Sequence, residues 1–291
     1  MKVTIDPNSG FCYGVNRAIQ TAENELDAGN EVYCLGEIVH NQVQMDELKG
    51  KGLKVIIHAN LPDLKGKQVL IRAHGEPPET FQLADKQGID LIDATCPIVT
   101  KLQQHIRESA ASGEHENIQI VIFGKPCHAE VEGLVGNASG KAIVVNSERD
   151  LENIDFTKPV RLFSQTTMDA EQYQVIAALV QSKMDEAGNP DLIITKSVCK
   201  QVSGRTAGLK IFASKHDIII FVAGNNSANG AYLFNVCKDN NPNSHYISNL
   251  GEIELQWFQN AKTVGISGAT STPGWLIEQV ADYIQTLKIN L

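Results

Sequence analysis

The chain is short of positive charge. Of its 291 residues, 25 are Lys or Arg against 34 Asp or Glu, a formal net charge of -9, and the basic residues are scattered. Nucleic acid and anionic membrane are therefore excluded as expected partners, and any anionic ligand must be held by local groups. Long hydrophobic runs are also missing. The longest, near Ile218–Ala223, is far below the roughly 18 residues that span a bilayer, and Met1-Lys2-Val3-Thr4-Ile5-Asp6 has no apolar signal region. The expectation is a cytoplasmic protein with no membrane span. Low-complexity linkers, a G-x-x-x-x-G-K-[ST] loop, a dinucleotide fingerprint and a C-x-x-C pair are absent too, which removes P-loop, Rossmann and local metal-knuckle chemistry.

What is present is an ordinary globular composition, 42% hydrophobic and 20% charged, whose length alone points to about two domains. Short runs rich in Val and Ile alternate with stretches of helical periodicity, the pattern of βα units and parallel sheets. Twelve strands are predicted, starting near Val3, Glu31, Lys54, Gln68, Asp90, Ile118, Ala142, Val160, Leu192, Ile218, His245 and Thr263. Val15, Ala18, Ile19, Ala22 and Leu26 trace one buried helical face that Gly29 stops; Pro97 opens a helix continued by Val99, Leu102 and Ile106.

Three segments repeat the same features at a period near one third of the chain. One strand of each ends in an apolar residue and a glycine before a polar loop, at Leu35-Gly36, Phe123-Gly124 and Ala223-Gly224. Another ends in small polar or imidazole groups: Ala73-His74-Gly75, Ser164-Gln165-Thr166-Thr167 and Gly268-Ala269-Thr270-Ser271-Thr272. A third ends in a cysteine, at Cys96, Cys199 and, if the N-terminal strand closes the last unit, Cys12. This divides the chain into α/β units 14–97, 98–194 and 195–291 plus 1–13. Each is expected to hold a small, mainly parallel four-stranded sheet, with a pseudo-threefold arrangement about a common centre. Ligands of parallel α/β sheets bind at the carboxyl ends of strands, where all these residues lie.

Alone, each of Cys12, Cys96 and Cys199 reads as a small buried hydrophobe. In phase, three thiolates without a fourth ligand suit a four-iron, four-sulfur cluster with one open iron better than closed structural zinc. Cys34 and Cys237 are assigned to packing. Cys127, beside His128, is a weaker nucleophile candidate, because neighbours on an extended segment face opposite ways. His40, His74 and His128 lie on the strand-end edges, whereas His58, His105, His115, His216 and His245 fall in turns or polar helical stretches. With Thr166, Ser227, Asn229 and Ser271, the first three histidines would make a donor-rich pocket for a diphosphate. Glu130, two residues past His128, is the carboxylate placed to act with it, and Glu132 is its competitor.

Six ordered motifs carry a resemblance: Gly10-Phe11-Cys12-Tyr13-Gly14-Val15, Val39-His40-Asn41, Ala73-His74-Gly75, Asp93-Ala94-Thr95-Cys96-Pro97, His128-Ala129-Glu130-Val131-Glu132-Gly133 and Gln165-Thr166-Thr167. The chain resembles the 4-hydroxy-3-methylbut-2-enyl diphosphate reductase family from Gly10 to Trp275. The resemblance implies three pseudo-threefold-related α/β domains around a central [4Fe-4S] cluster held by Cys12, Cys96 and Cys199. It also implies a substrate pocket of His40, His74, His128, Thr166, Ser227, Ala228 (through its backbone N–H), Asn229 and Ser271. Glu130, Thr166 and His128 would serve catalysis, Glu130 delivering the proton. The implied reaction is reductive dehydroxylation of (E)-4-hydroxy-3-methylbut-2-enyl diphosphate to isopentenyl and dimethylallyl diphosphate, using two electrons and two protons. That is the last step of the methylerythritol phosphate route, and the implied electron donor is a small ferredoxin or flavodoxin.

Three departures stand out. Val202 occupies the place of a family threonine after the last cluster cysteine, Ala228 interrupts the phosphate loop between Ser227 and Asn229, and Thr270 competes with Ser271 for the last phosphate contact. A quinolinate-synthase-like enzyme would require arginine forks, and an iron sensor would require a basic surface or partner helix; the sequence offers neither.

Overall fold

The computed structural model describes residues 1–111, 117–225 and 227–287, so His115 lies outside the described residues. Strand β1 (Lys2–Ile5) leads to α1 (Tyr13–Asp27), then β2 (Val32–Leu35), α2 (Gln42–Gly50), β3 (Lys54–Ile56), β4 (Gln68–Ile71), α3 (Pro78–Gln87), β5 (Asp90–Asp93) and α4 (Pro97–Ala111). Next come β6 (Gln119–Phe123), α5 (Ala129–Asn137), β7 (Ile143–Val145), β8 (Val160–Ser164), α6 (Ala170–Glu186), β9 (Leu192–Ile194) and α7 (Lys200–Ala213). The last stretch holds β10 (Ile218–Val222), α8 (Ala228–Asn240), β11 (Ser244–Ile247), β12 (Thr263–Gly268) and α9 (Gly274–Thr286). Every strand starts within one residue of its expected position. His245 proves to be a strand residue, in β11, its ring stacked on Trp257 at 4.1 Å.

The strands form three four-stranded sheets, ordered β3-β2-β4-β5, β7-β6-β8-β9 and β11-β10-β12-β1. Every pairing is parallel. The N-terminal strand does complete the third sheet: Lys2 to Ile5 run beside Thr263 to Ile266, and the Ser267 hydroxyl donates to the buried Asp6 carboxylate at 2.8 Å. The chain gathers into two compact units, one made of Met1–Glu23, Glu37–Leu53 and the chain from Gln201 on, the other of Asn24–Gly36 and Lys54–Lys200. The former carries the third sheet; the latter carries the other two.

Strands buried on both faces read as unbroken apolar runs. In β10 no residue is more than 3% exposed. Side chains alternate across a strand, so Ile218, Ile220 and Val222 meet Leu276, Ile277, Val280 and Ile284 of α9. Ile219 and Phe221 meet Leu209 and Ala213 of α7 and Leu233 of α8 on the other face. Full burial of each such side chain contributes about 1.5–3 kcal/mol. Phe123, Val121 and Leu162 anchor the second sheet against Tyr173, Ile176 and Val180 of α6. No described helix is long and apolar enough to cross a membrane.

Backbone hydrogen bonds align the three sheets residue by residue and shift one expected equivalence. Gly36 donates to Ile56 O at 2.9 Å and Gly124 to Val145 O at 2.9 Å, but in the third sheet Ala223 makes this bond, to Ile247 O at 3.0 Å. Gly224 therefore comes one residue later than Gly36 and Gly124. A separate constraint fixes it: a Cβ there would lie 2.5 Å from the His40 carbonyl oxygen, so only glycine lets the His40-Asn41 backbone approach.

Candidate active site

The three in-phase cysteines occupy one structural position. Cys12, Cys96 and Cys199 each immediately precede a helix, α1, α4 and α7, beyond the carboxyl end of an edge strand. Each donates its backbone N–H to the loop after the neighbouring strand: Cys12 to Thr270 O at 3.3 Å, Cys96 to Ala73 O at 3.0 Å, Cys199 to Thr166 O at 2.8 Å. Helix N-termini favour thiolates. All three side chains are half-buried, and no disulfide forms among the described residues. Cys34 and Cys237 behave differently, fully buried in β2 and α8, where desolvation pushes both thiols up to about 12. They are packing residues, as expected.

Cys127 is exposed, at φ 60 in the left-handed region. It lies in a turn rather than the extended segment read from sequence. His128 is the N-cap of α5, and its Nδ1 accepts the Glu130 N–H at 3.2 Å. The neutral ring therefore carries its proton on Nε2, where it is a donor. The His74 ring, in the loop after β4, meets that of His128 edge-on with centroids 5.3 Å apart.

Glu130 shares the first turn of α5 with its cap, so a helix turn, not strand alternation, groups it with His128. It is 1% exposed, whereas Glu132 faces solvent. Its two carboxylate oxygens accept the Thr166 N–H at 2.6 Å and the Thr166 hydroxyl at 3.0 Å. Burial pushes the Glu130 pKa up to about 7, and the Thr166 hydrogen bonds only partly offset it. The result is a buried acid that exchanges a proton near neutral pH, coupled to a hydroxyl.

In the other unit, Ser227 caps α8: its Oγ accepts the Gly230 N–H at 3.0 Å and lies 3.1 Å from Ser271 Oγ. Ala228 opens the helix, so its N–H is among those a helix start leaves for a ligand. Asn229 Oδ1 accepts the Thr270 N–H at 3.1 Å and the Thr270 hydroxyl at 2.9 Å. Its Nδ2 is buried without a hydrogen-bond partner among the described residues. His40 is exposed and directly precedes Asn41, which caps α2 by accepting the Gln44 N–H at 3.2 Å. Val202 is buried in α7 and Ser203 beside it is half-buried.

Sequence reasoning missed several supporting groups. Gln103, buried on α4, sits on the stripe set by Val99, Leu102 and Ile106, and its helical spacing would have revealed it. Asp6 had no local signal, because its partner Ser267 is fixed by the pairing of the first and last strands. Glu76 is 3% exposed, and it accepts from or donates to His58 Nε2 at 2.8 Å; burial raises its pKa.

These features define a class: α/β proteins of three repeated parallel sheets whose strand ends carry half-buried cysteines, imidazoles, hydroxyls and a buried acid. The chain belongs to the LytB protein family, whose sequence pattern matches residues 3–285. It is 46% identical over 289 residues to a 4-hydroxy-3-methylbut-2-enyl diphosphate reductase of Bacteroides thetaiotaomicron, covering 99% of both chains. A protein of the same name from Chloroherpeton thalassium is 43% identical, with 98% of this chain and 96% of that one covered. Among solved structures, one titled (E)-4-hydroxy-3-methyl-but-2-enyl diphosphate reductase, the terminal enzyme of the non-mevalonate pathway, superposes with TM-score 0.76 at 32% identity, covering 99% and 100%. The E-1-hydroxy-2-methyl-but-2-enyl-4-diphosphate reductase of Plasmodium falciparum gives TM-score 0.83 at 25% identity, covering 99% and 89%.

Proposed function

We propose that this chain reduces (E)-4-hydroxy-3-methylbut-2-enyl diphosphate to isopentenyl and dimethylallyl diphosphate, as the last step of the non-mevalonate route. The observation that carries this reading is the single position shared by Cys12, Cys96 and Cys199, each heading a helix and each tied by its N–H to the adjacent loop. Half-buried thiols at helix N-termini fit iron ligation, whereas the desolvated Cys34 and Cys237 do not. Cys12, Cys96 and Cys199 would hold one [4Fe-4S] cluster, with the three sheet-bearing segments as its domains. When bound, that cluster supplies electrons and an open Lewis-acidic iron for the substrate's hydroxyl.

The chain's own groups divide the remaining work. Ser227, Ser271, the Asn229 amide and the Ala228 N–H offer donors at the start of α8 for the diphosphate. His40, His74 and His128 add imidazole donors, which offset phosphate charge and orient the alcohol. Glu130 holds a proton at its buried carboxyl and passes it through the Thr166 hydroxyl. The electron donor in this reading is a ferredoxin or flavodoxin, and the enzyme works in the cytoplasm.

The test is anaerobic purification. The protein should be brown, contain about four irons per chain for a four-iron cluster, and oxidise a reduced donor only when the diphosphate alcohol is present. A colourless, fully zinc-loaded protein would overturn the reading.

A further inference from the structure

The Glu130–Thr166 pair has a twin in the unit that carries the third sheet. Glu130 is the second residue of α5 and Asn229 the second residue of α8. Thr166 follows β8 and Thr270 follows β12, the strands that flank β6 and β10 in their sheets. Thr166 donates its N–H and hydroxyl to the Glu130 carboxylate; Thr270 donates the same two groups to Asn229 Oδ1, at 3.1 and 2.9 Å. Each threonine carbonyl then accepts a cysteine N–H, from Cys199 and from Cys12. The first sheet has no such pair, since Val43 and Ala73 stand at the matching places.

The acid-to-amide exchange changes what the clamp can do. An amide has one acceptor end and one donor end. Two Thr270 donors on Oδ1 leave only one orientation, with Nδ2 turned away from Thr270. That Nδ2 is buried and has no hydrogen-bond partner among the described residues, a costly state unless a ligand completes it. The start of α8 and the paired hydroxyls of Ser227 and Ser271, 3.1 Å apart, belong to the same loops.

We propose that Thr270 is a positioning residue: its two donors lock the Asn229 amide so that Nδ2 presents N–H to a phosphate oxygen of the substrate's diphosphate. Ser271, with its hydroxyl against Ser227, is then the direct contact of that loop, and Thr270 acts through Asn229. The inference rests on the diphosphate reading above. The same clamp thus holds an acid in one unit and an anion-facing donor in the other.

The test uses anaerobic holoenzyme and reads kcat, KM for the diphosphate alcohol, and the Kd of inorganic pyrophosphate. Thr270→Val, nearly isosteric, should raise KM and the pyrophosphate Kd about tenfold, the value of one neutral hydrogen bond. Its kcat should stay within about twofold, since binding rather than chemistry is disturbed. Thr270→Ser should restore both constants, and Thr270→Ala should reproduce the Val loss if Val packs poorly. In an Asn229→Ala background, Thr270→Val should add nothing, because the two residues act as one unit. Wild-type affinity in Thr270→Val and Thr270→Ala, or additive losses in the double variant, would overturn the positioning role alone. Failure of the wild-type holoenzyme to bind pyrophosphate or turn over the alcohol would overturn the diphosphate reading and the inference with it.

Discussion

Glu130 and Thr166 stand 36 positions apart and are joined twice, through the Thr166 N–H at 2.6 Å and its hydroxyl at 3.0 Å. A glutamine at position 130 keeps the shape but holds no transferable proton. Glu130→Gln should lower kcat by about 10²–10⁴-fold while iron content and KM stay near wild type. Unchanged turnover, measured with a saturating reductant, would place the proton source elsewhere.

The raised pKa of Glu130 sets a pH dependence. The protonated form is the donor, so kcat should fall as pH rises through about 7. The Thr166 hydroxyl lowers that value, so Thr166→Val should move the falling limb to higher pH. A limb at the same pH in both proteins would show that Glu130 does not control it.

Stability should follow the same group. The folded value of about 7 lies above the ordinary carboxyl value of 4.5, so the unfolded chain ionises first and binds fewer protons between them. Stability from this group is unchanged below about 4.5 and falls as pH rises toward 7, by roughly 3 kcal/mol. Denaturant melts of Glu130→Gln should lose that slope and should match wild type more closely at low pH than at pH 8. Parallel pH curves for the two proteins would refute the burial account.

Gly136, on the face of α5 turned to the loop that follows His74, has a steric role. A Cβ there would lie 2.5 Å from Pro77 Cβ and 3.0 Å from Pro77 Cα. Gly136→Ala should destabilise by about 1–3 kcal/mol and raise KM by displacing the His74 side of the loop. Thermal melting and steady-state kinetics on the same preparation check both; an unchanged melt would mean that the loop gives way freely.

The cysteines should separate into two groups. Cys12→Ser, Cys96→Ser and Cys199→Ser should each lose brown colour and bound iron. Cys34→Ala and Cys237→Ala should keep both and lose only packing, about 1–2 kcal/mol for a small buried side chain. Iron counts on the five variants decide it, and iron retained in Cys199→Ser would remove that residue from the ligand set.

Much of the fold was written locally. Val- and Ile-rich runs such as Ile218–Val222 form strands because parallel strands are buried on both faces, and the stripe Ala18, Ile19, Ala22 forms a helix for the same reason of burial. The motifs around Cys12, Cys96, Cys199, Glu130 and Thr166 were legible because each is a short run at a strand or helix end. The sequence alone therefore determined the elements, their threefold repetition and the family. Tertiary structure decided what pairing over distance controls. Only strand register shows that Ala223, not Gly224, matches Gly36 and Gly124. The physical difference between Glu130 and Glu132 shows only in the folded chain, where one carboxyl is buried against Thr166 and the other faces water. Which hydroxyl of the last loop clamps Asn229 and which meets Ser227 could not be read from Thr270-Ser271. Neighbouring residues differ there only in direction, and direction is set by the strand beneath them.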